Sequence, residues 1–369
     1  MADSLLGEHG IAVFRCYGIG DPRFSVAIRH SAICLFPNTV RPQYCNTGSE
    51  ASHGLNWAVI DVIGAPFDLC GKRLGSRLGP AAVRLAGLVE ALEALKFRVT
   101  DCGDVEPPEV GAECGLRNFQ PLIKCIHLLR ERVLESLRGG RIPVVIGGEH
   151  SLAMGGVSAA LQHFEGDLGL LWIDAHADIN TPGSSSTGNL HGMPVAALAG
   201  LPSDAVGKTD DEWRGLLQAL GPTYRLDLEA TVWYGLRDVD GAERGRLAGC
   251  PITMHDIDRH GVEAMVSRID DWLRRCGVRQ LWISFDVDAL DPILAPGTGT
   301  GVRGGLTYRE AHLTAELIRE ALDTRSCPYQ LAGVDLVETN PLFDTQNQTA
   351  KMSVEWIASL FGKTILGTR

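Results

Sequence analysis

Three short stretches of this 369-residue chain carry residue types and spacings that could hold metal ions. In Trp172-Ile-Asp-Ala-His-Ala-Asp178, the side chains of Asp174, His176 and Asp178 stand at i, i+2 and i+4. If extended geometry persists there, all three lie on one face. In Ser284-Phe-Asp-Val-Asp-Ala-Leu-Asp-Pro292, Asp286 and Asp288 share a face by the same argument. His150 follows a double glycine in Gly147-Gly-Glu-His150. A lone Asp-x-Asp is more often a turn or a solvated cap, and a lone histidine after two glycines usually does nothing. The three together, in order and each after a strand-like run, are far more specific.

Converging carboxylates repel, and burying them unpaired is costly. Four aspartates supply −4 and two neutral histidines nothing, so two divalent ions at +4 would balance them. The donor set is oxygen-rich, with two imidazoles and no nearby thiolate. That suits Mn²⁺ better than a structural Zn²⁺ site, which favours cysteine and histidine. It does not separate manganese from cobalt, nickel or iron.

The elements that must position these residues follow from the apolar pattern. From Trp57 onward, short apolar runs rich in β-formers alternate with amphipathic helical runs, which predicts βα units and a parallel sheet. The predicted strands are Ala58–Gly64, Pro143–Ile146, Gly169–Ile173, Thr231–Gly235, Gln280–Phe285 and Leu331–Leu336. They are almost wholly apolar, as strands covered on both faces are. Helices are predicted over Pro80–Leu95, Pro121–Leu137 and Tyr308–Leu322. The polar clusters at Gly147–His150, Asp174–Asp178, Arg237–Asp240, Asp286–Asp291 and Glu338 each follow a predicted strand. In open α/β sheets, ligands bind beyond the carboxyl ends of the strands, so five such clusters point to one site.

Residues 1–56 read differently. Strand-like pieces (Ile11–Cys16, Ile33–Phe36) alternate with turn-rich stretches and no periodicity is sustained. They are expected to be an extension of uncertain structure, partly disordered, ahead of a catalytic domain spanning 57–369.

Composition narrows the function classes. With 34 basic and 45 acidic residues, the net charge is −11. That argues against nucleic acid and anionic membrane surfaces, which need a basic face. No run of 18 apolar residues suggests a membrane span, and the first residues lack the pattern of a secretory signal. A cytoplasmic protein is expected, its ten scattered cysteines reduced.

Taken in order, the motifs resemble the ureohydrolase family, which includes arginases and agmatinases, with the arginases nearest. The resemblance covers about residues 57–369. It is carried by Gly147-Gly-Glu-His-Ser151, Asp174-Ala-His-Ala-Asp178, Asn180-Thr-Pro182, Gly188-Asn-Leu-His-Gly-Met-Pro194, Gly235-Leu-Arg-Asp-Val-Asp240, Ser284–Pro292, Gly304-Gly-Leu-Thr-Tyr-Arg-Glu310 and Val337-Glu-Thr-Asn-Pro341. Ile63-Gly-Ala-Pro-Phe67 and Gly79-Pro80 also look like the family's opening strand and loop.

The resemblance implies a three-layer αβα fold around a mainly parallel sheet, and two Mn²⁺ ions per chain. One ion would take His150, Asp174, Asp178 and Asp286; the other His176, Asp174, Asp286 and Asp288. It further implies hydrolysis of the guanidinium group of L-arginine to L-ornithine and urea by a hydroxide shared between the metals. Asp178 would hold the hydroxide's proton, His191 would act as general acid or proton shuttle, and Glu338 would pair with the guanidinium. Asn180, Thr187 and Asn189 would hold the α-carboxylate, Asp240 would meet the α-ammonium, and Thr300 joins the substrate-binding set. A homo-oligomer, trimeric or hexameric, is also implied.

The chain departs from the family pattern in places. Glu149 stands where Asp is usual, Thr187 replaces a usual Ser, and Gly301 stands where Pro is common. None of these removes an expected ligand. The competing readings are agmatinase or another guanidino-acid hydrolase and, less favoured, a non-catalytic amino-acid-binding relative.

Overall fold

The computed structural model describes residues 59–106, 116–221 and 223–368. The extension expected over residues 1–56 lies outside the described residues. Eight parallel strands form one sheet: β1 (Val59–Ala65), β2 (Arg98–Asp104), β3 (Ile142–Gly147), β4 (Gly169–Ile173), β5 (Thr231–Leu236), β6 (Cys250–Thr253), β7 (Gln280–Asp286) and β8 (Gln330–Val337). Their spatial order is β2-β1-β3-β8-β7-β4-β5-β6, and every pairing is parallel.

Side-chain alternation divides the apolar residues between two cores. Leu171, Ile173, Ile283 and Phe285 face one side, against the helices Gly79–Leu85, Leu88–Ala94, Val262–Cys276, Tyr308–Asp323 and Gln348–Leu360. Leu170, Trp172, Trp233 and Trp282 face the other, against Phe119–Arg138, Ala153–His163 and Lys208–Ala219. The result is a three-layer αβα sandwich. The Trp282 indole packs so close to two glycines that a Cβ would meet it at 2.6 Å from Gly156 and 2.4 Å from Gly333. Only glycine fits at either position.

All six predicted strands are present, with each end shifted by a residue or less. The helix predicted over Pro80–Leu95 is two helices, broken where Gly87 takes φ 89°. Two strands of this sheet, β2 and β6, lie outside the predicted set. Both are edge strands: β2 is polar and largely exposed, and β6 is four residues long and contains a proline. Neither carries the apolar run that marks the central strands. None of the described helices is long and apolar enough to cross a membrane.

Strand order positions the site. The four central neighbours, β3, β8, β7 and β4, end at or just before His150, Glu338, Asp286 and Asp174. Adjacent strands are about 4.8 Å apart, so these ends span roughly 15 Å. Ile173 pairs with Phe285, and Phe285 with Leu336. The next residues, Asp174 and Asp286, therefore emerge side by side.

Candidate metal centre

Beyond these strand ends, two imidazoles face one set of carboxylates. His150 Nδ1 lies 2.9 Å from Asp174 Oδ2, 3.1 Å from Asp286 Oδ2 and 3.2 Å from Asp178 Oδ2. His176 Nδ1 lies 3.1 Å from Asp288 Oδ2 and 3.3 Å from Asp174 Oδ1. The two oxygens of Asp174 thus divide between the two histidines. All six residues expected as ligands are brought together, with Asp174 and Asp288 fully buried and His176 a quarter exposed. Asp178 sits at φ 49° and Glu338 at φ 62°, left-handed conformations that non-glycine residues adopt at some cost.

The donors fit divalent cations better than they fit one another. His150 Nδ1 and Asp174 Oδ2 are buried without a hydrogen-bond partner. Ligands about 2.1 Å from a common ion, at right angles to each other, stand about 3 Å apart, as these do. Burial, then the neighbouring charges of Asp288 and Asp174, pushes Asp286 well above the usual carboxylate range. Burial and Asp174 also raise Asp178 and Asp288. Burial raises Asp174 too, but the two imidazoles beside it win and hold it low. Positive charge shared among the four relieves that conflict.

A second set of contacts orients the donors. Ala175 N donates to Asp288 Oδ1 at 3.2 Å, and Asp288 N to Asp286 Oδ1 at 2.7 Å. Thr300 Oγ1 donates to Asp288 Oδ2 at 2.8 Å, so this substrate-binding candidate is also tied to a candidate ligand. Glu338 Oε1 accepts from His150 N at 3.1 Å and lies 3.2 Å from His191 Nδ1. Burial lowers the His191 pKa, but the bond to Glu338 and the charges of Glu338, Glu149 and Asp178 outweigh it and raise it to about 9.

These groups open into a cavity of about 280 Å³ whose lining includes Asn180, Thr187, Asn189, His191, Asp240 and Thr300. Asn180 Nδ2 donates to Asp240 Oδ2 at 3.1 Å, joining the residue expected at an α-carboxylate to the one expected at an α-ammonium. Thr187 Oγ1 accepts from Asn189 N at 3.2 Å, while Asn189 Oδ1 is buried and unpartnered. Glu338, Asp174 and Asp288 do not line it, but each lies against a histidine that does: His191, His150 and His176 in turn.

The family model described as "Arginase family" matches residues 58–362. The chain belongs to the arginase family. It is 38% identical over 323 residues to an arginase of Staphylococcus aureus (strain COL), covering 83% of this chain and 98% of that protein. The native arginase structure from Bacillus caldovelox superposes with a TM-score of 0.74 at 36% identity, covering 84% of this chain and 99% of that one. A hypothetical agmatinase from Burkholderia thailandensis stands farther off, with a TM-score of 0.61 and 25% identity over 82% of this chain and 85% of its own.

Several residues of this arginase-family site escaped the sequence reading. Lys72, Ser185, Ser186, Asp238 and Glu243 also line the cavity. Glu243 accepts from Ile179 N at 3.1 Å and Asp240 N at 3.0 Å. Burial and the charge of Asp178 raise its pKa to about 7. Its sequence signal was the capping-box spacing Asp240-x-x-Glu243 at a helix start. Asp335 and Ser284 lie behind His150, and their signal was polar side chains inside otherwise apolar strands. Lys72 gave no signal, because an exposed loop lysine is the commonest kind. Among the described residues, the thiols of Cys70, Cys102, Cys125, Cys250, Cys276 and Cys327 are free.

Proposed function

We propose that this ureohydrolase splits L-arginine into L-ornithine and urea with two Mn²⁺ ions. One ion would be held by His150, Asp174, Asp178 and Asp286, the other by His176, Asp174, Asp286 and Asp288. The observation that carries the reading is the pair of imidazole Nδ1 atoms facing a shared Asp174, under a cavity lined by His191 and a hydroxyl- and amide-rich loop. When bound, two such cations supply a water acidic enough to act as hydroxide at neutral pH.

The chain's own residues do the rest. Glu338 pairs with the planar guanidinium and aims its carbon at the metal centre. Asp178 accepts a hydrogen bond from the attacking group and takes up its proton. As the bond from the guanidinium carbon to the substrate's side-chain nitrogen breaks, that nitrogen needs a proton, and His191 delivers it. Water thus adds to the carbon, urea leaves, and the amine is restored. Asn180, Thr187 and Asn189 receive the α-carboxylate, Asp240 the α-ammonium, and Thr300 steadies Asp288 at the cavity wall.

The arginine reading over agmatine rests on the polar loop and on the higher identity to arginases than to the agmatinase. A site built to bond a carboxylate rejects the analogue that lacks it, because its donors are left unpaired. Urea release from L-arginine, agmatine and 4-guanidinobutyrate, measured on manganese-reconstituted protein, tests this. No urea from arginine would sink the proposal, and faster release from agmatine would favour agmatinase. A homo-oligomer, trimeric or hexameric, in the cytoplasm completes the reading.

A further inference from the structure

Arg237 follows β5 and takes no part in the chemistry above, yet it touches both metal-bearing turns. Its backbone N donates to Ala175 O at 2.9 Å, and Asp238 N donates to the same oxygen at 3.0 Å. Ala175 lies between Asp174 and His176. The Arg237 side chain crosses to the other turn. Nη2 donates to the carbonyls of Asp288 at 2.5 Å and Leu290 at 3.3 Å, and Nη1 donates to that of Ala289 at 3.3 Å. Three successive carbonyls therefore converge on one guanidinium. Nε and Nη2 also reach Val302 O, at 3.3 and 2.8 Å, on the loop that carries Thr300. Nη1 returns to Gly235 O at 3.2 Å.

The loop is shaped for this group. A Cβ on Gly305 would stand 2.6 Å from Arg237 Nη2 and as close to Asp291 N and the Leu290 carbonyl carbon, so a glycine is needed where the guanidinium meets that turn. Only a planar fork of five donors can serve so many carbonyls at once, and a lysine ammonium cannot. Arg237 thus fixes the Asp288 turn from behind, while Thr300 holds the Asp288 carboxylate from the front at 2.8 Å.

We propose that Arg237 is a positioning residue for one cation of the pair, the one assigned to His176 and Asp288, by bracing the Asp174–His176 turn against the Asp286–Leu290 turn. The inference rests on the two-ion reading. Asp288 and His176 belong to that ion alone, whereas His150 and Asp178 belong to the other. Replacing the side chain keeps the backbone bonds to Ala175 O and frees the carbonyls of Asp288, Ala289 and Leu290. Of these residues Asp288 serves that ion alone, so the replacement weakens one ion and spares its neighbour, an asymmetry that a general loss of stability does not produce.

The test is a Mn²⁺ titration of metal-free protein, with free Mn²⁺ read by electron paramagnetic resonance, for wild type, Arg237→Met and Arg237→Lys. The expected result is two ions per chain in wild type. In Arg237→Met one ion is retained and the other weakened by about 10–100-fold, the usual effect of losing a group that orients a ligand. Arg237→Lys falls between. Arg237→Gln, which keeps part of the side chain's donor set without the fork, should give the same selective loss and serves if Arg237→Met fails to fold. Unchanged affinity for both ions, or equal weakening of both, overturns the proposal. A wild-type protein that takes up a single ion overturns the two-ion reading, and this inference with it, independently of what the variants do.

Discussion

Ser284 Oγ lies 2.9 Å from His150 Nε2 and itself donates to Asp335 Oδ1. Because the hydroxyl proton is committed to the carboxylate, Ser284 can only accept from the imidazole. Nε2 therefore carries the hydrogen, and the Nδ1 lone pair is turned toward Asp174, Asp178 and Asp286. Asp335 is held in turn by the Trp282 indole N–H at 2.5 Å. Asp335→Asn breaks the chain that fixes this tautomer. Metal affinity should fall about 10–100-fold while the fold is kept. An unchanged Mn²⁺ titration would show that His150 needs no such support.

Asp286→Ala should cost more. This carboxylate faces His150 and also accepts from Asp288 N, so it serves both halves of the centre. The variant should lose both ions and all measurable urea release. Metal content by elemental analysis decides it, and near-normal activity would refute the assignment.

His191→Ala should separate chemistry from metal binding. The imidazole touches Glu338 but does not rank among the expected ligands. Two ions should remain, with kcat reduced by about 10²–10⁴-fold and partly restored by added imidazole. Loss of metal instead would make His191 structural.

Among the described residues, Lys72 is the sole lysine or arginine lining a cavity that also carries Asp178, Asp238, Asp240 and Glu243. Its charge is suited to drawing in a substrate carboxylate. Lys72→Met should raise KM for arginine by roughly two- to fivefold, the range of an exposed ion pair, and more so at low salt. KM for agmatine should stay level or fall. Equal changes for both substrates would rule out a carboxylate contact.

Glu149 gives a pH signature. It is fully buried, and burial, with the Glu338 charge adding to it, raises its pKa from 4.5 to about 8 against the pull of His191 and Ser151. The folded state therefore holds a proton that the unfolded state releases, so this group's contribution to stability declines as pH rises from about 4.5 to 8. Glu149→Gln removes that slope. Denaturant unfolding of metal-free protein should show the variant gaining on wild type across this window, by a few kcal/mol at most. A constant difference between the two would mean that Glu149 is ionised throughout.

The central strands were legible because each is a nearly unbroken apolar run ending in a polar cluster, as in Leu170–Ile173 before Asp174. That pattern also located the six metal-ligand candidates, although strand alternation is not what gathers them. β4 ends at Ile173, the chain bends over Asp174–His176 with Asp178 left-handed, and Val287–Ala289 is a 3-10 turn, so the tight turns after the strands bring them together. Other features depend on long-range pairing and stayed hidden. β2 is strand only because β1 offers it an edge, and nothing in Arg98–Asp104 announces that. The helix break at Gly87 needed the packing of its two halves to appear. Arg237 could be seen beside the cluster it belongs to, but the turn and loop its side chain grips lie more than fifty residues on, and no spacing rule links an arginine to distant carbonyls.

β3 and β4 are consecutive in the chain, yet β8 and β7 lie between them in the sheet. His150 and Asp174 therefore reach their places around two strands that are synthesised much later. A nascent chain has made most of its helices and four of its metal-ligand candidates before β7 and β8 exist to set the distance between them. The metal centre can close only when β7 and β8 stand between β3 and β4, so uptake of metal follows assembly of the sheet's middle and cannot precede it.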